Sequence, residues 1–183
     1  MEKQKQYQKG YAAPVILLFI LATITLLVFV VEFGRVVETR THLNNGVELA
    51  VSAGAHAYGK ELKKRLDEAY DKAEQQAKQT VEDKINAGEV DAADEDKEVT
   101  EEIKKLMKEQ AGDITNAARQ TCKSEAESII TMHELSVITV SCSDTEAHVT
   151  ASTVYDQQIH GIVQFPTKEF RESSTEDIKI IKE

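Results

Sequence analysis

The chain has 183 residues, room for one modest domain or one domain plus an anchor. It holds 22 lysine and arginine against 32 aspartate and glutamate, a net charge of −10. An acidic chain lacks the clustered cations that nucleic-acid binding needs, so no nucleic-acid partner is expected. Two cysteines are too few for a disulfide scaffold or a four-thiolate zinc site.

The first strong signal is apolar. Ala12 to Val31 (AAPVILLFILATITLLVFVV) carries no charge. About 20 residues at 1.5 Å each cross a hydrocarbon core of roughly 30 Å. Lipid forces the backbone to bond internally, so the segment reads as a transmembrane helix over 12–31. Thr23 and Thr25 can bond to carbonyls one turn earlier, and Pro14 suits a first turn. A cleaved signal peptide has a shorter apolar run and a small-x-small site, whereas Glu32, Phe33, Gly34 and Arg35 follow here. Residues 1–11 then form a short cytoplasmic tail. Lys3, Lys5 and Lys9 against Arg35 and Arg40 favour a cytoplasmic N-terminus and an extracytoplasmic body.

Helical periodicity continues past the membrane. Val36, Val37, Leu43, Val47, Ala50, Val51, Gly54 and Ala57, then Leu62, Leu66, Ala69, Ala73, Ala77, Val81 and Ile85, mark one face. They predict a long extracytoplasmic helix over 32–86, bent at Gly34, Gly46 or Gly59. Glu61–Arg65 and Glu68–Lys72 support its exposed side. Residues 87–99 are acidic and read as a solvated loop; they lack the order of a calcium loop. A second helix is expected over 100–133, capped by Thr100, with Ile103, Leu106, Ile114, Ala118, Ala126 and Ile130 among its apolar face and a kink at Gly112. The two helices form an antiparallel hairpin in preference to a strict coiled coil.

The period then changes from 3.6 to 2, and residues 134–183 form a small β region. Ile138, Val140 and Cys142 share one face; Ala147, Val149, Ala151, Thr153 and Tyr155 alternate in the next strand. Ser143-Asp144-Thr145 is the turn between them. Phe165-Pro166 marks a loop, and Phe170 to Ile181 a third strand. The fold class is α+β: an N-terminal transmembrane helix running into a long amphipathic helix, a helical hairpin, then a small antiparallel sheet.

No chemistry stands out. His42, His56, His133, His148 and His160 show no metal-ligand spacing, and no nucleophile elbow, Walker or dinucleotide motif is present. No cofactor and no metal are expected, and the chain does not read as an enzyme. Cys122 and Cys142 lie 20 apart; with the body outside the cytoplasm a disulfide between them would tie helix to hairpin, the alternative being two buried thiols. Gly46, Ala50 and Gly54 are spaced by four, as are Ala53 and Ala57, and allow a close helix approach, either from a partner or from the chain itself.

Leu43-Asn44-Asn45-Gly46-Val47-Glu48-Leu49-Ala50-Val51-Ser52-Ala53-Gly54-Ala55 resembles the L-Q-N-A-A-D-A-A-A-L-A-G-A stretch that follows the single span of TadE/TadG-like proteins of the Flp, or Tad, type IVb pilus system. Leu43, Asn45, Ala50, Ala53, Gly54 and Ala55 match outright, and Glu48 stands at the family's aspartate. Lys9-Gly10-Tyr11-Ala12-Ala13 before the span, Glu32-Phe33-Gly34-Arg35 after it, and Ala147 to Ser152 (AHVTAS) are similar to further family features. The resemblance marks Gly10–Tyr11 as the place for prepilin-type processing. Val15 stands where processing favours glutamate, which implies an uncleaved anchor, more like TadG. The D-x-S-x-S motif of TadG von Willebrand domains is absent from the sequence. The resemblance implies a membrane-anchored pilus-assembly component, akin to a minor pseudopilin. Its partners would be the lipid bilayer, pilus or secretion-system membrane proteins, and a second copy as a homo-oligomer. Two other classes are a self-associating envelope spacer or adhesin stalk, and a receptor ectodomain needing a separate signalling partner.

Overall fold

The computed structural model describes residues 2–155, 158–159, 163–164 and 168–178. Helix α1 runs unbroken over Glu2–Asn86, 85 residues. It already includes residues 2–11 ahead of the apolar stretch, and Pro14 lies inside it rather than in its first turn. The helix also passes through Gly34, Gly46 and Gly59 without a break. In the apolar stretch Thr23 Oγ1 donates to Phe19 O and Thr25 Oγ1 to Leu21 O, both over 2.8 Å, so both hydroxyls are satisfied within the helix.

The end of α1 is set by Gly88, whose φ of 75° is free only to glycine. Glu89 N donates to Lys84 O and Gly88 N to Ile85 O, the paired bonds of a Schellman cap. A short 3-10 turn, Ala92–Asp94, follows, capped by the Asp91 side chain. Helix α2 then spans Glu95–Met132. The acidic loop is therefore shorter than 87–99. Glu95, Asp96 and Glu98 occupy the first turn of α2, where carboxylates favour the positive end of the helix dipole. Thr100 is interior and donates back to Asp96 O, so it caps nothing, and Gly112 does not interrupt the helix. At the far end Glu134 takes the left-handed conformation, φ 56°, while Leu135 N bonds Ile130 O and Glu134 N bonds Thr131 O.

The helices pack antiparallel: Gly46 meets His133 and Leu135, Gly54 meets Cys122 and Ala126, and Lys84 pairs with Glu98 at 3.0 Å near the tip. Their seam is built from small residues four apart. Ala69, Ala73, Ala77 and Val81 are buried on α1, and Ile114, Ala118, Cys122, Ala126 and Ile130 on α2. Arg65 bonds Glu61 at 2.7 Å as the sequence suggested, but Glu68 approaches Lys64, at 3.9 Å, and not Lys72.

A three-stranded antiparallel sheet lies on this hairpin in the order β1 (Ser136–Cys142), β2 (Glu146–Tyr155), β5 (Lys168–Asp177). Strand β1 packs on α2, and β2 and β5 pack on α1. A second pair, β3 (Gln158–Ile159) and β4 (Val163–Gln164), lies in the β2–β5 connection. Ile138 does not join Val140 and Cys142 on the inner face. A bulge between Val137 and Thr139 inserts it as an extra residue, and it remains exposed. The turn at Ser143–Thr145 forms as read, with Ser143 Oγ accepting from Glu146 N at 3.0 Å. The third strand begins at Lys168; Phe165-Pro166 and residues 179–181 lie outside the described residues.

The core is where all layers meet. Leu43, Val47, Ala50, Val51 and Tyr58 of α1 pack with Ala118, Cys122 and Ile130 of α2 and Ala147, Val149 and Ala151 of β2. Alanines on all three surfaces let helix and sheet backbones approach closely.

Candidate packing surface beside the membrane span

The sequence singles out residues 43–57 of α1 for helix contact, and the structure divides them. Leu43, Gly46, Val47, Ala50, Gly54 and Ala55 face inward and are buried by α2 and the sheet. A Cβ added at Gly46 would sit 2.6 Å from Leu135 Cδ1. One added at Gly54 would sit 3.2 Å from Cys122 O and 3.3 Å from Ala126 Cβ. These positions are small because this chain's own second helix and sheet leave no room. The open side carries Asn45, Glu48 and Leu49, which are exposed, and Ala53 and Ala57, which are half-buried. Leu49, Ala53, His56 and Ala57 of α1 and Thr121 and Glu125 of α2 line a groove of about 840 Å³ between the helices. Gly10 and Tyr11 are in the helical run of α1, and their side chains lie outside the described residues.

Cys122 and Cys142 are bonded, with S–S 2.02 Å and Cα–Cα 6.5 Å. The bond joins α2 to β1 directly behind Gly54, whose added Cβ would lie 3.3 Å from Cys122 Sγ.

Two long-range ties hold the sheet along α1. At the outer end Tyr58 Oη donates to Asp144 Oδ1 over 2.9 Å, and Arg119 Nη2 donates to the same oxygen over 2.8 Å. One carboxylate in the β1–β2 turn thus joins both helices. Burial, then the Asp144 hydrogen bond, pushes the Tyr58 hydroxyl up to about 12. The bonds from Tyr58 and then Arg119 hold the Asp144 carboxyl below its usual range. At the inner end Tyr155 Oη donates to Glu32 Oε2 over 2.6 Å, and Arg35 Nη1 lies 3.4 Å from Glu32 Oε1. Glu32 is only 7% exposed. Its hydrogen bond is the main cause that raises the Tyr155 hydroxyl above its ordinary range. Between the ties Arg40 Nε donates to Glu172 over 3.2 Å.

Neither tie is visible in the local pattern, since the partners are 86 and 123 residues apart. The one available hint is Glu32 itself, an acid directly after an apolar span. His42 and His133 also come together, rings 5.3 Å apart, while His56 faces the groove. Among the described residues no group of three or more His, Cys, Asp or Glu is placed to hold a metal ion.

Within α1 the stretch after Ala13 includes a window long and apolar enough to cross a membrane, and none of that window is buried by the rest of the chain. No curated protein and no solved structure matches the chain. Residues 10–57, the apolar span and the adjoining part of α1 that packs under the sheet, match the family model described as putative Flp pilus-assembly TadE/G-like.

Proposed function

We propose that the protein is a membrane-anchored component of a Flp-type pilus-assembly system, resembling a TadE/TadG-like minor pseudopilin, that works by helix packing and not by catalysis. The observation that carries this reading is the match over residues 10–57, which joins the span to the first turns outside it. The extracytoplasmic placement of the body is supported by the Cys122–Cys142 bond, since such bonds persist in oxidising compartments. In this reading the span holds the chain in the bilayer. Because Leu43, Gly46, Ala50 and Gly54 are occupied by intramolecular packing, the surface for pilin or platform helices is the open side of the same segment: Asn45, Glu48, Leu49, Ala53, His56 and Ala57. Leu49, half exposed among small neighbours, is the apolar contact that side provides.

The test is site-specific photocrosslinking from Leu49 and Ser52 in native membranes, with Tyr70 as a position beyond the matched segment. Adducts with Flp-type pilin or with the assembly platform at 49 and 52, weaker at 70, are expected. Recovery of the chain crosslinked only to itself would overturn the pilus reading in favour of a self-associating envelope spacer.

A further inference from the structure

We infer that the base of the sheet rests in the headgroup layer of the membrane, giving the body a second contact with lipid beside the span. This rests on the anchor reading above, because the span fixes where the hydrocarbon ends. Residues 12–31 fill about 30 Å of hydrocarbon, and Glu32 is the first residue beyond it. Tyr155, the last residue of β2, is hydrogen-bonded to Glu32, so the end of that strand lies at the same level.

The geometry of the two ties agrees with this. From Glu32 to Tyr58, α1 rises about 39 Å at 1.5 Å per residue. From Asp144 to Tyr155, extended chain covers about 36 Å at 3.3 Å per residue. Strand β2 therefore runs beside α1 back toward the bilayer over the full distance between the ties. Headgroups add about 5–7 Å outside the hydrocarbon. That thickness takes in Glu32 to Arg35 on the helix and Val154 and Tyr155 on β2, with their partners Glu169 and Lys168 on β5.

The side chains at this level suit such a layer. Phe33 is 71% exposed and Val154 59%, apolar surface left open among the described residues. The Tyr155 ring is buried 6.3 Å from that of Phe170, which fixes the end of β2 against β5 at this level. A carboxylate at the edge of the hydrocarbon is costly unless partnered, and Glu32 has both Tyr155 and Arg35.

The chain contains no tryptophan, so one introduced indole reports one place. Three single variants of the full chain, Phe19→Trp in the span, Val154→Trp at the sheet base and Tyr70→Trp on the distant helix, are reconstituted into phosphatidylcholine–phosphatidylglycerol vesicles with and without brominated acyl chains. Brominated lipid is expected to quench Phe19→Trp most, to quench and accompany a blue shift of Val154→Trp to a lesser degree, and to leave Tyr70→Trp unchanged. Glu169→Trp, across the ladder from Val154, repeats the reading should Val154→Trp fail to fold. Quenching at Phe19 with Val154 and Glu169 both behaving like Tyr70 overturns this inference and leaves the anchor standing. Absence of quenching at Phe19 overturns the anchor, and this inference with it.

Discussion

Reduction of the Cys122–Cys142 bond should destabilise the body by about 3 kcal/mol. The two sulfurs close a loop with a sequence separation of 20. Constraining a loop of that length removes chain entropy from the unfolded state worth roughly 3 kcal/mol at room temperature. For a chain of this size each kcal/mol moves the melting temperature by about 2–4 °C, so the midpoint should fall by roughly 6–12 °C. The native side adds to the loss, because Cys122 is fully buried and its sulfur lies 3.3 Å from where a Cβ on Gly54 would sit, leaving little room for two separated thiols. The assay is thermal unfolding of the full chain in lipid nanodiscs, followed by circular dichroism, oxidised and reduced, with thiol content measured in parallel. The Cys122→Ala/Cys142→Ala double variant should melt near the reduced protein and lose its response to reductant. A fully reduced chain that melts with the oxidised one would refute the loop argument. Alkylation of both cysteines in native membranes without reductant would remove the bond as support for an extracytoplasmic body.

The remaining predictions concern local features. The Tyr58 hydroxyl is raised from 10.0 to about 12, so its contribution is complete below pH 10 and is lost as pH rises toward 12; Tyr58→Phe should flatten that alkaline slope in melts recorded across pH. Gly59→Ala and Gly112→Ala meet open space in mid-helix and should each stabilise by up to about 1 kcal/mol. Gly54→Ala should gain nothing, and Gly54→Leu, forced against Cys122 and Ala126, should cost roughly 1–3 kcal/mol in denaturant unfolding. Glu134→Gly should stabilise by about 1 kcal/mol in the same assay, because glycine adopts the left-handed cap of α2 without a Cβ clash.

The sequence makes the long-period features plain. The span is legible because lipid admits one solution to twenty uncharged residues, and the change from helix to sheet because the apolar period drops from 3.6 to 2. Features set by balance or by distance are not legible. The acids Glu95, Asp96 and Glu98 suit both a solvated loop and the first turn of a helix, and the structure uses them for the turn. The bulge that turns Ile138 outward depends on pairing with Ala151 and Thr150, which the local alternation cannot express. Gly46, Ala50 and Gly54 announce a close approach without naming the partner. That partner is α2 and the sheet, drawn from residues 118–151, whose own small side chains are read as ordinary helix and strand positions. Tyr58–Asp144 and Tyr155–Glu32 leave no local trace, although they decide where the sheet sits.

The continuity of α1 also has a mechanical meaning. In the anchored reading its part beyond the span, Glu32–Asn86, reaches about 80 Å from the bilayer without a break. The sheet braces the lower half of this arm, leaving the hairpin tip as its free end. A tilt of about 20°, ordinary for a single span, would sweep that tip sideways by roughly 28 Å. A lever of this length turns a small change in how the span is seated among its neighbours into a displacement the width of a small domain.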